Sequence, residues 1–213
     1  PQTVQMAKAS IKVMTKNIAS AKSLGNLLKD ILENKSSYSY KRSYLISLFF
    51  YKILPDLGWG GEDQLEQNLE KMTYVSFFHD LYIRDEILLK IMRNEQIENM
   101  TLDQDEIDLI NNHANRVSTL VQSIPQCPSG IDVILRQHHG SSNGIGLPDK
   151  LSTGISPMAI VFVVIEDFST RVLNRLEARQ KLILPEIFEA MEPRYSSTSY
   201  KTVFAHLKKS FNK

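Results

Sequence analysis

Apolar residues recur along this chain at steps of three and four, and no alternating apolar/polar run of four or more residues makes a convincing strand. Val4, Ala7, Ile11, Met14, Ile18, Ala21, Leu28 and Leu32 form one apolar seam, with Gly25 its weak position and Lys8, Lys12, Lys16, Lys22 and Lys29 off it. That spacing suits either an amphipathic helix packed on its own domain or a dimerising coiled coil that relays a signal from an upstream domain. Beyond the polar break at Asn34 to Ser39, the pattern predicts a strongly apolar helix over Tyr44 to Leu54, ended by Pro55 and Gly58. Further helices are predicted over Gln64 to His79, Asp85 to Arg93, Leu102 to Ser123 and Ile131 to His139. After the turn-rich loop Gly140 to Pro148, Ser156–Pro157 opens a buried helix through Ile160 to Leu176. A pair over Pro185 to Met191 and Thr198 to Phe211 closes the chain. The expected architecture is all-α, with an N-terminal amphipathic or coiled-coil helix over residues 1–34 (linker or dimerisation) and a helical domain over residues 35–213.

Composition narrows the function classes. The 213 residues are 42% hydrophobic and 23% charged, ordinary globular values that argue against disorder and fibrous architectures. A chain of this size buries roughly 70% of its unfolded surface and needs no disulfide to fold. A net charge of +1 argues against a binder of nucleic-acid polymers that works by neutralising phosphates. The single cysteine, Cys127, has no internal partner, which makes a reducing compartment the default. The apolar run Met158 to Ile165 falls far short of the roughly 18 residues that cross a bilayer. The first residues lack a signal-peptide layout. They also lack an initiator Met, as a fragment or processed form would. A cytoplasmic protein without membrane contact is expected.

Four of the five histidines carry the candidate chemistry, and the fifth, His206 in the last helix, reads as a surface residue. His79 and Asp80 follow an apolar stretch at a helix end. His113 lies within a helix, and His138 and His139 stand side by side before a glycine-rich loop. Glu166 and Asp167 interrupt the apolar run Ala159 to Phe168, where an unpartnered charge is costly and asks for a metal or a strong hydrogen-bond partner. Either of the two could face such a site, since helical geometry separates them by about 100°. Imidazole and carboxylate together suit Fe, Mn or Zn, and a carboxylate can bridge two ions. Paired ions can hold a hydroxide and clamp a phosphodiester.

In order and spacing these anchors resemble the HD-GYP domains of bacteria, a branch of the HD phosphohydrolase superfamily. SFFHDLYIRDEIL (Ser76 to Leu88) resembles the family's HD segment, and LINNHANRVSTLV (Leu109 to Val121) its central histidine helix. HHGSSNGIGLP (His138 to Pro148) is similar to the signature HHExxDGxGYP. MAIVFVVIEDFSTRVLNR (Met158 to Arg175) resembles the helix in which an aspartate ligand precedes an arginine by nine residues. The resemblance spans residue 36 to the C-terminus.

It implies an HD-type helical domain that hydrolyses cyclic di-GMP at a site of two divalent ions, iron first, with manganese or zinc as alternatives. The implied ligands are His79, Asp80, His113, His138, His139 and Glu166, with Asp80 bridging the ions and orienting the attacking hydroxide. Arg175 would contact a substrate phosphate, and Asn143, Gly144 and Gly146 would border the cyclic dinucleotide. A homodimer, an upstream sensory domain or a signalling partner would complete the picture. The chain also departs from the pattern: the family lysine falls on Ile83, and the signature Glu, Asp and Tyr fall on Gly140, Asn143 and Leu147. In the helix that begins near Ser36, Ser, Tyr and Lys stand where the family has a further histidine. These losses leave a second expectation beside turnover: a degenerate module that binds cyclic di-GMP or a partner protein for signalling. Another HD-type phosphohydrolase, acting on a different nucleotide, is a third.

Overall fold

The computed structural model describes residues 9, 12, 13, 16, 36–59, 61–125 and 127–211. The expected helix over residues 1–34, its heptad seam and the dimer built on it lie outside these, apart from the four isolated positions.

The described residues form an all-helical fold: α1 (Tyr38–Ile53), α2 (Glu62–Phe78), α3 (Asn94–Glu98), α4 (Gln104–Gln122), α5 (Ile131–Gln137), α6 (Pro157–Glu177), α7 (Leu184–Met191) and α8 (Thr198–Phe211). Short 3₁₀ turns cover Leu54–Leu57, Leu88–Lys90 and Glu192–Tyr195. No strand occurs among the described residues.

The central element is α6. Ten of its fourteen buried residues are apolar, and they lie on every side of the helix, as in a helix surrounded by others. Ser156 caps it by accepting from the Ala159 N–H, and Pro157 takes the first turn, where no N–H is needed. Helices α1, α5, α7 and α8 pack around it, while α2 lies on α1 and α5, and α4 lies on α5. Phe49 of α1, Phe168 of α6 and Phe211 of α8 meet with ring centroids 4.9–5.4 Å apart, tying three helices into one core. α4 begins in a reciprocal cap: Asp103 accepts from the Glu106 N–H and Glu106 from the Asp103 N–H.

The segment Asp85 to Arg93 is not the helix its composition predicts. Only Leu88–Lys90 makes a single 3₁₀ turn. Leu88, Leu89, Ile91 and Met92 are all buried. The Leu89 carbonyl is also taken by the Arg42 guanidinium at 2.9 Å. The Leu89, Lys90 and Ile91 N–H groups still bond within the segment, to the Asp85, Ile87 and Leu88 carbonyls.

Candidate metal centre

Five chain segments converge on one buried cluster. α2 delivers His79 at its C-terminal cap with Asp80 next, α4 delivers His113, and α5 delivers His138 at its cap with His139 next. α6 delivers Glu166 from its middle, and α1 delivers Arg42. The close approach of α1 to α2 rests on two small residues: Ser47 and Ser76 hydroxyls lie 2.6 Å apart.

The backbone sets which ring nitrogen of three histidines points inward. His79 Nδ1 donates to the Ser76 carbonyl (2.8 Å), His113 Nδ1 to that of Ile110 (2.7 Å) and His138 Nδ1 to that of Leu135 (2.6 Å). A carbonyl only accepts, so Nδ1 carries a proton in each ring, and in the neutral form of the ring the Nε2 lone pair faces the cluster. His113 Nε2 lies 3.2 Å from His138 Nε2, 2.9 Å from His139 Nε2 and 3.6 Å from Asp80 Oδ1. Donor atoms about 2.1 Å from a shared ion stand about 3.4 Å apart at tetrahedral angles. The spacing fits. Asp80, His113, His138 and His139 could hold a metal ion there.

A second group, His79, Asp80 and Glu166, has similar spacing. His79 Nε2 lies 2.9 Å from Asp80 Oδ2 and 3.7 Å from Glu166 Oε1, and it makes no hydrogen bond. Both of those oxygens are already engaged by Arg42. Its Nη1 donates to Asp80 Oδ2 at 2.5 Å, and its Nη2 donates to Glu166 Oε1 at 2.6 Å. Met92 Sδ lies 3.1 Å from the same Nη2. Arg42 is 2% exposed and Glu166 1%.

The electrostatics follow from burial first. Desolvation pushes His113 below the usual histidine value, and His138 and His139 well below it; neighbouring imidazoles add to the effect in the latter two, so all three favour the neutral ligand form. For Asp80 burial pulls upward, but His79 and Arg42 outweigh it and hold the carboxyl well below its usual range. Glu166 is pushed up to about 7 by burial, with Arg42 opposing.

On α1, where Ser, Tyr and Lys are the expected residues, the side chain that reaches the cluster is Arg42. The signal was present: Tyr38, Arg42, Leu45, Ile46, Phe49 and Ile53 share the buried face of α1 at helical spacing, so Arg42 is a charge on a core stripe. Of the two adjacent acids on α6, Glu166 faces the cluster. Asp167 turns away to Arg171 Nε (2.6 Å) and the Tyr195 hydroxyl (2.9 Å). Arg175 is not brought to the cluster; it pairs with Glu186 at 2.9 Å at the end of α6.

Asn143 shapes the loop, its Oδ1 accepting from Ser141 Oγ (2.6 Å) and the Ile145 N–H (3.0 Å). Gly146 N–H donates to the Asn111 carbonyl of α4 at 2.9 Å. Gly144 has φ +74, and a Cβ there would lie 2.9 Å from the Arg136 carbonyl oxygen. These three residues dock the loop beside His138 and His139 through turn geometry, and His206 lies on α8, outside the two metal-competent groups.

A cleft of about 540 Å³ opens between α6 and the segment after Leu89, lined in part by Lys90, Met92, Arg93, Thr170 and Arg171. Met92 forms its contact with Arg42, so the cleft and the cluster share one side chain. No helix among the described residues is long and apolar enough to cross a membrane. Comparison with protein-family models, with curated proteins and with solved structures finds no match for this chain.

Proposed function

We propose that this chain is a metal-dependent phosphodiesterase of the HD-GYP type whose substrate is cyclic di-GMP. The observation that carries the reading is the convergence of His113, His138 and His139 Nε2 with Asp80 Oδ1 at ligand spacing, in a site where the three imidazoles are held neutral. A divalent ion in such a site supplies Lewis-acid polarisation of a phosphoryl oxygen and an activated water at neutral pH.

The chain's own residues divide the remaining work. Asp80 is ionised, presents Oδ1 to the imidazoles and is oriented through Oδ2 by Arg42. The neighbouring cleft carries Lys90 and Arg93 beside Glu95 and the Asp167–Arg171 pair, and these two cationic side chains suit a phosphodiester group. The choice of cyclic di-GMP rests on the order of the HD, His, HH and acid-helix anchors and on nothing that reads guanine.

A second reading, binding without turnover, draws support from Arg42, which engages both carboxylates of the cluster, and from Gly140 and Leu147 at the signature acid and tyrosine positions. The deciding experiment purifies the protein without chelator and without oxygen, loads it with Fe(II) or Mn(II), and follows cyclic di-GMP by chromatography and by equilibrium binding. Linear dinucleotide from the loaded protein, lost in His138→Ala, is the expected result. Saturable binding with no product favours the second reading. Neither binding nor product removes cyclic di-GMP as the ligand.

A further inference from the structure

We propose that Arg42 stands as the resident cation of the His79–Asp80–Glu166 group, so that each chain takes a single divalent ion, held by His113, His138, His139 and Asp80. The inference rests on reading the cluster as a metal centre, and it replaces the two-ion site that the family resemblance implies.

The argument starts from which atoms are used. An ion beside His79 Nε2 would meet Asp80 Oδ2 and Glu166 Oε1 first, while Glu166 Oε2 lies on the other side, 3.9 Å from His139 Nδ1. Arg42 donates to those same two oxygens, one from each terminal nitrogen. Asp80 is thus split, Oδ2 on the guanidinium and Oδ1 toward His113. The carboxylate bridges a fixed organic cation and one open ligand set.

Displacing the guanidinium is unfavourable. An arginine does not deprotonate within proteins, so its charge stays when an ion arrives. Arg42 is buried on the core face of α1, and Nη1 also holds the Leu89 carbonyl while Nη2 touches Met92. An incoming ion would leave a divalent and a monovalent cation sharing two carboxylates, or strand a buried guanidinium without its counter-charges. The imidazole group has no such occupant. Its nearest cation, Arg42, points its donors at the opposite carboxylate oxygens.

The roles of His79 and Glu166 change accordingly. They surround and orient the Arg42 end of Asp80 and are positioning residues.

Ion content per chain tests this on the full chain, loaded with Mn(II) without oxygen and desalted, read by elemental analysis and by electron paramagnetic resonance. One manganese per chain with an uncoupled six-line signal is expected; two per chain, or an exchange-coupled spectrum, overturns the proposal while leaving the metal reading intact. No manganese at all overturns both. His79→Gln is expected to keep one ion and His138→Ala to keep none; loss of the ion in His79→Gln counts against the assignment. Arg42→Gln, where it folds, is expected to rise to two ions, and a folded variant that stays at one overturns the role given to the guanidinium. If it does not fold, the wild-type and His79→Gln results decide.

Discussion

The Nε2 atoms of His113 and His138 lie 3.2 Å apart, and each ring spends its Nδ1 proton on a backbone carbonyl three residues earlier in the chain. Two helices are therefore built to hold two lone pairs at one point. With His139 and Asp80 added, the arrangement suits a cation, and stability should report on cation binding.

Loading with a divalent ion should raise the melting temperature. At a free ion concentration of 100 times Kd the linkage amounts to about 2.7 kcal/mol, or about 5–10 °C for a chain of this size. Scanning fluorimetry with Mn(II) and then with excess chelator checks it. The shift should vanish in His138→Ala.

In the chelated protein, stability should fall as pH drops below about 6.5. His113, His138 and His139 are depressed by burial, so below the ordinary value of 6.5 the unfolded chain binds protons that the folded chain refuses. Glu166, raised to about 7, acts in the opposite sense between 4.5 and 7, but it is one group against three. Melting temperatures from pH 8 to pH 5 test the sign, and a flat or rising profile through pH 6 would contradict it.

Arg42→Ala should cost the ion-free protein about 3–5 kcal/mol, the penalty for breaking a buried ion pair from one side. The variant leaves Asp80 and Glu166 without the one guanidinium they share. Urea unfolding gives the loss, and added Mn(II) should restore part of it by supplying the missing positive charge.

Asp167→Asn should leave ion content unchanged while lowering stability by about 1–3 kcal/mol, since it weakens a bond to Tyr195 and a pair with Arg171. Elemental analysis and denaturant midpoints together separate this residue from its neighbour Glu166.

Gly144→Ala should destabilise the protein by about 1–3 kcal/mol. The position needs a left-handed backbone, and the new methyl group would crowd the Arg136 carbonyl at 2.9 Å. Because the loop adjoins His138 and His139, ion affinity should weaken with stability, measurable by competition with a chelator.

Local patterning along the chain is enough for much of this molecule. The three- and four-residue spacing of apolar positions marks seven of the eight helices among the described residues, and Ser156–Pro157 and Asp103 to Glu106 mark where two of them begin. Helix ends next to His79 and His138 were legible too, because caps and periodicity are properties of neighbouring residues. Tertiary structure decided the rest. Glu166 and Asp167 differ only in the direction they face, which depends on where α1 and the Tyr195 turn pack around α6. The 85–93 segment makes only one 3₁₀ turn, and its Leu89 carbonyl bonds to Arg42, a partner no local pattern names. The contact that most changes the site joins residues 42, 80 and 166, and no local pattern can express a bond across 124 positions. A buried charge must find its partner wherever the fold brings one, and only packing shows that Arg42 found two.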